Sequence, residues 1–462
     1  MSELVSKKIA ADPRLVEAKS LILQVVQEHA SSIVDVRPPA AERVVDYQRL
    51  LNDYAAFRGG ALYFPYLSSG AGNGPFVELA DGSVKLDMIT GIGVHGFGHC
   101  HPDLVAAGID SAISDTVMQG NLQTNTESVD LSQLLLELLN EGSDEYAHCF
   151  LSTSGAMANE NALKIAFQKN HPANRILAFK HCFAGRTLAL AQVTDKAAYR
   201  DGLPETIQVD YLPFYDQTRH EQSIQSAVSH LESHLSRHPG KHAAFWMELV
   251  QGEGGYYPGH REFFMALIEA LKGQNCAIIA DEVQTFGRTT SPYATQHFEL
   301  QSEIDIITIG KISQVCATLF KSDYNPRPGL ISQTFTGSTW AINAARAIIR
   351  GLMERGNFGA EGLNVNLHRH FENHLKRIGE SYPNTISGPY GIGGMVAFTP
   401  FGGNAEKAKA MCHALFDAGL MSFIAGGKIS RIRFLLPLGV VTTQHIDRAA
   451  EIIEEVVQAM SS

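Results

Sequence analysis

The stretch from Cys276 to Lys311 constrains the chain more than any other, because it holds two short apolar runs that each stop on a chemically useful group. Cys276-Ala277-Ile278-Ile279-Ala280 ends on Asp281-Glu282-Val283-Gln284, and Ile304-Asp305-Ile306-Ile307-Thr308-Ile309 ends on Gly310-Lys311. Their length and β-branched content predict strands buried on two faces, as in a parallel sheet, and hence an α/β fold. In such sheets the groups that meet a ligand sit just past the carboxyl ends of the strands. An acid and an amine delivered to that edge suit pyridoxal 5'-phosphate chemistry. Lys311 would form a Schiff base with the aldehyde, and Asp281 would pair with the ring nitrogen so that the ring stays an electron sink. On placement alone a second reading stands, with Asp281 capping a helix and Lys311 solvated in a loop.

Composition narrows the field. The 462 residues, 45% hydrophobic and 18% charged, suffice for a large globular core in two or three domains. A net charge of −11 and a pI near 5.9 argue against nucleic acid or an anionic membrane as partner. The six cysteines show no CxxC pairing, as expected of reduced core thiols. The first residues carry no apolar signal region and no run is long enough to span a bilayer, so a cytoplasmic protein is expected.

The chain carries a series of motifs that resemble, in the family's order, those of the class III (ω-amino acid) aminotransferases. The segment 281–289, Asp-Glu-Val-Gln-Thr-Phe-Gly-Arg-Thr, resembles the family signature but lacks a glycine after Thr285. Thr153-Ser154-Gly155-Ala156 follows a predicted strand and feeds a helix, a natural anion site. The resemblance assigns the cofactor phosphate to Ser154, Gly155 and Ala156. Phe183, in Phe183-Ala184-Gly185-Arg186-Thr187, matches the aromatic residue that stacks on the ring, while Ala184 stands where the family has histidine. Arg186 either binds a substrate carboxylate or is structural. Gln251-Gly252-Glu253-Gly254-Gly255 implies that Glu253 holds an active-site arginine. Gly337-Ser338-Thr339-Trp340 implies a homodimer with shared sites, Thr339 reaching the neighbouring subunit's phosphate. Arg433, in Arg433-Phe434-Leu435-Leu436-Pro437-Leu438, matches the arginine that binds the substrate carboxylate. Lys311-Ile312-Ser313-Gln314-Val315-Cys316 leans toward the lysine 6-aminotransferase branch.

The resemblance implies a fold-type I pyridoxal-phosphate-dependent transferase. Its large domain would span residues 76–341 around a mostly parallel, seven-stranded-type sheet. A smaller α+β domain would come from both chain ends, residues 1–75 and 342–462. It implies ping-pong transfer of a terminal amino group from a small-molecule amine donor to a keto acid such as 2-oxoglutarate. Lys311 would move the proton, Asp281 would hold the ring cationic, Val283 would pack behind the ring and Gln284 would bond its hydroxyl. A racemase, epimerase or aminomutase on the same scaffold is the alternative, and a non-catalytic relative that kept the fold is another.

Two signals point elsewhere and are set aside. Gly91-Ile92-Gly93-Val94-His95-Gly96 is formally GxGxxG, but a dinucleotide site requires a helix at once, and this stretch runs first into Phe97–Pro102. His99 and His101 are spaced i, i+2 with no further metal ligands in evidence.

Overall fold

The computed structural model describes residues 4–115 and 117–461. Its centre is a seven-stranded sheet: β1 (Tyr146–Ser152), β2 (Arg175–Phe179), β3 (Gln208–Leu212), β4 (His242–Met247), β5 (Ala277–Glu282), β6 (Ile306–Ile309) and β7 (Cys316–Lys321). The spatial order is β1-β7-β6-β5-β4-β2-β3, with every pairing parallel except those that β7 makes. The two apolar runs are neighbours in it, Asp281 lying opposite Thr308. Every residue of β4, β5 and β6 is buried, which is what helix-covered parallel strands require.

Helix α1 (Gly155–Lys169) covers one face. Its small residues Ala162 and Ala166 let it lie close against Ala178, Trp246 and Ile279. Phe179, Phe245, Phe263 and Phe264 fill the other face as one aromatic cluster. Each such ring taken from water contributes about 1.5–3 kcal/mol.

The C-terminal part holds a second sheet: β8 (Ile386–Ile392), β9 (Met395–Pro400), β10 (Phe423–Ala425) and β11 (Arg431–Leu435), in the order β8-β9-β11-β10. Helices α3 (Leu363–Ser381), α4 (Ala405–Asp417) and α5 (Thr443–Ser461) accompany it, while α2 (Thr339–Glu354) packs on the helices Pro102–Ala112 and Thr126–Asn140. The N-terminal hairpin Phe76–Leu79 and Val84–Asp87 turns at Asp81-Gly82, as its alternation predicts, with Gly82 at φ +80°. It pairs with the C-terminal strand Leu420–Met421, not with the central sheet. The expected limit at 75/76 therefore falls inside a ladder, where Asn73 faces Phe76. Residues 421–424 divide at buried Ser422 between two sheets.

Asp12 caps the helix Pro13–Ala30, accepting from Arg14 N at 3.0 Å. That helix buries none of its residues; even its apolar Ile22 and Val25 are exposed. The GxGxxG stretch forms a kinked turn with Gly91 and Ile92 at positive φ, and the next helix starts only at Pro102. His99 bonds Asp87 at 3.1 Å and His101 caps that helix.

Candidate active site

The carboxyl ends of β1, β2, β4, β5 and β6, with the start of antiparallel β7, open onto one cavity of about 420 Å³. Ser154, Gly155, Ala156, Phe183, Arg186, Asp281, Val283, Gln284 and Lys311 all line it. A second cavity of about 490 Å³ shares Phe183, Arg186 and Lys311 and adds Glu253 and the 423–427 segment.

Asp281 is buried at the end of β5. It accepts from Val283 N at 2.9 Å and from Asn159 Nδ2 at 2.8 Å. Burial outweighs these bonds and pushes its carboxyl up to about 6. Asn159 sits one turn into α1 and also donates to Ala184 O at 2.7 Å, fixing the amide against the acid. The motif reading passed over Asn159, although helical spacing carries the fifth residue after Ser154 back toward the sheet edge.

Lys311 is half-buried and has φ +55°. A non-glycine residue there costs about 1–2 kcal/mol, so the backbone strain must be offset by what surrounds it. Burial holds its amine below the usual range; Arg433 and Arg288 add to that, against Glu253 and Asp281. A depressed lysine pKa supplies the neutral amine that carbonyl chemistry needs.

Ser154 caps α1, its hydroxyl accepting from Met157 N at 3.2 Å. The N–H groups of Gly155 and Ala156, ahead of Met157 in the first turn, are left for an anion. Gly155 is needed for close approach, since a Cβ there would lie 2.8 Å from Val283 Cγ1. Arg186 is exposed at the mouth, its guanidinium stacked 3.8 Å from the Tyr199 ring centroid.

Arg433 and Glu253 meet at 2.6 Å, the arginine fully buried on β11. Burial opposes both charges, and the pairing overcomes it: the Glu253 carboxyl lies below its usual value and the Arg433 guanidinium above its own. Gln284 Nε2 also donates to Glu253, at 3.2 Å, so its amide nitrogen is taken while its buried Oε1 has no partner among the described residues. Glu248, the acid that ends β4, accepts from Phe183 N and Gly252 N. Burial, with Asp281 adding to it, raises Glu248 to about 8. Of the other sequence-predicted residues, Glu253 lines only the second cavity, Arg433 lies buried behind it, and Thr339 stands apart from both. Its buried hydroxyl accepts from Val117 N and Asn125 Nδ2 at the start of α2.

Residues 64–457 match the family model described as Aminotransferase class-III. The chain belongs to this family. An acetylornithine aminotransferase from Archaeoglobus fulgidus is 32% identical over 390 residues, 83% of this chain and 93% of that protein. One from Synechocystis sp. is 27% identical over 96% of this chain and 99% of its own length. Lysine aminotransferase from M. tuberculosis shares the fold at a TM-score of 0.78 with 22% identity, over 88% of this chain and 99% of the other. Ornithine aminotransferase from Toxoplasma gondii ME49 does so at 0.74 with 23% identity, over 88% and 95%. This class-III aminotransferase is a pyridoxal-phosphate-dependent transaminase of fold type I, taking an amino group from an amine donor to a keto-acid acceptor.

Proposed function

We propose that this transaminase takes the terminal amino group of a diamino acid, lysine or an ornithine derivative such as N-acetylornithine, and passes it to 2-oxoglutarate. The Glu253–Arg433 pair carries this reading. With the pair closed, the Arg433 charge is already met and the inner pocket accepts an alkyl-amine end that carries no carboxylate. With Glu253 turned away, Arg433 offers a planar bidentate fork to a carboxylate. One pocket then serves both halves of a ping-pong cycle. Arg186 at the mouth suits the carboxylate at the donor's far end. The names of the relatives support donors of this length.

The residues present fit pyridoxal phosphate. The first turn of α1, at Ser154, Gly155 and Ala156, would hold the phosphate, Phe183 and Val283 would flank the ring, and Asp281 would pair with its nitrogen. The orphaned Gln284 Oε1 is a ready acceptor for the ring hydroxyl. When bound, the cofactor supplies the electron sink for carbanion chemistry. The chain's part is to hold and move protons. Asp281, ionised above about pH 6, keeps a proton on the ring nitrogen. Lys311 Nζ, its amine held below the usual range, would be the base that takes the proton from the substrate carbon and the acid that gives it back. Asn159 orients Asp281, and the small domain, to which the hairpin at 76–87 adds its strands, carries Arg433 to the site. A cytoplasmic homodimer sharing its sites through Thr339 completes the reading.

A donor screen with 2-oxoglutarate as acceptor tests it. Glutamate formation from lysine or N-acetylornithine, exceeding that from 4-aminobutyrate, is expected. Turnover of one amino acid into its isomer without any keto acid would instead support the racemase or aminomutase reading.

A further inference from the structure

We infer that the outer face of the small domain carries a binding site for one divalent transition-metal ion, made by His370, His374 and Asp447. The two histidines stand i, i+4 on α3, the spacing that stacks both rings on one helix face. Asp447 comes from α5, which packs on α3 with the same direction of travel: Asp447 meets His370 and His374, and Glu454, two turns on, meets Arg377. Asp447 Oδ1 lies 2.6 Å from His370 Nε2 and 2.8 Å from His374 Nε2. The three ligand atoms lie within 4.8 Å of one another. Such convergence is the geometry of a three-ligand zinc site with a fourth position left to water.

The ligand set names the class of ion. Two imidazoles and one carboxylate suit zinc, cobalt, nickel or copper, whereas magnesium and calcium demand oxygen shells that this face does not assemble. Neutral imidazole is the ligating form, so binding needs only a shift of each ring proton from Nε2 to Nδ1. Nearby Glu454 is engaged bidentately by Arg377 at 2.7 and 3.0 Å, so the fourth ligand comes from solvent. The side chains are a quarter to a half exposed, which gives an ion access while α3 and α5 fix the positions. An ion there would clamp α3 to α5, and nothing in the reaction at Lys311 depends on it.

A second group, His220, His260 and Glu262, is less prepared: His220 Nδ1 is held by the Tyr215 hydroxyl at 2.8 Å and the other two residues are exposed. It supplies the control. Tag-free holoenzyme stripped with EDTA is dialysed against zinc chloride and its metal content measured, with cobalt as a spectroscopic probe of tetrahedral ligation. One zinc per chain and a raised Tm are expected. H374Q and D447N should each weaken binding by at least about tenfold, the loss that even an outer partner of a metal ligand brings. Both should keep the bound cofactor's visible absorbance, which reports that the variants fold. H260A should bind as the parent does. No zinc uptake, full uptake by H374Q and D447N, or loss confined to H260A would each overturn the site.

Discussion

Asp281 depends on its neighbours more than on its place in a motif. Burial lifts its carboxyl to about 6, while Asn159 and Val283 pull the other way. In the apoprotein, capture of pyridoxal phosphate should therefore weaken as pH falls through about 6, because a protonated Asp281 no longer attracts a cationic ring. Asn159→Ala removes one bond to the ionised form, so the falling limb should move to higher pH; an unmoved limb in a fluorescence titration would mean that Asn159 does not orient the acid. Glu253→Ala leaves Arg433 unpaired when an amine end occupies the pocket. Truncating one partner of a buried pair costs about 2 kcal/mol or more, so kcat/KM for the amine donor should fall at least about tenfold while the dicarboxylate acceptor is spared. Equal loss in both half-reactions would refute the switch. Asp281 and Lys311 stood out in the sequence as the ends of two apolar runs, whereas Glu253 and Arg433 stood out only through the family motifs that hold them. Asn159 did not, since its partner lies 122 residues away and only the packing of α1 on the sheet joins them.

The strands of the central sheet were mostly plain in the sequence, their all-apolar runs being what two-sided burial demands. β3, whose Gln208 and Asp210 break the apolar pattern, was missed, and so was β7, although residues 310–315 leave too little chain for the dozen or more residues of a parallel crossover and so force an antiparallel return. The apolar text at 421–424 gave no hint of its division, because an apolar run does not say which sheet it joins. At the start of α1, a Cβ on Gly155 would strike Val283. Gly155→Ala should loosen pyridoxal phosphate several-fold with little change in Tm, as an equilibrium titration would show; equal affinity would put the ring elsewhere. At the end of β4, Glu248 has its pKa raised from 4.5 to about 8. Its folded form binds the proton more tightly, so its contribution to stability is full below about pH 4.5 and is lost as pH rises through about 8. Glu248→Gln should flatten the decline of apoprotein Tm across that window, and an unchanged slope in thermal melts would assign the decline to other groups.

At the scale of the molecule, the segment 117–123 runs beside 332–339 and leaves an apolar patch around the start of α2. Leu122 is 99% exposed, with Met118, Phe335 and Trp340 each about half exposed. A patch of this kind fits a partner subunit, and Thr339 lies buried next to its Trp340. Sedimentation should give twice the chain's 50.3 kDa, and Leu122→Asp should yield monomers that hold the cofactor weakly; a monomeric parent with full activity would rule out shared sites. All of this presupposes that the amine at 311 is the one bonded to the cofactor. Borohydride reduction of the holoenzyme followed by peptide mass spectrometry tests that most directly. The account predicts a single pyridoxyl-phosphate adduct on Lys311, and an adduct on Lys180, Lys196 or any other lysine in its place would contradict it.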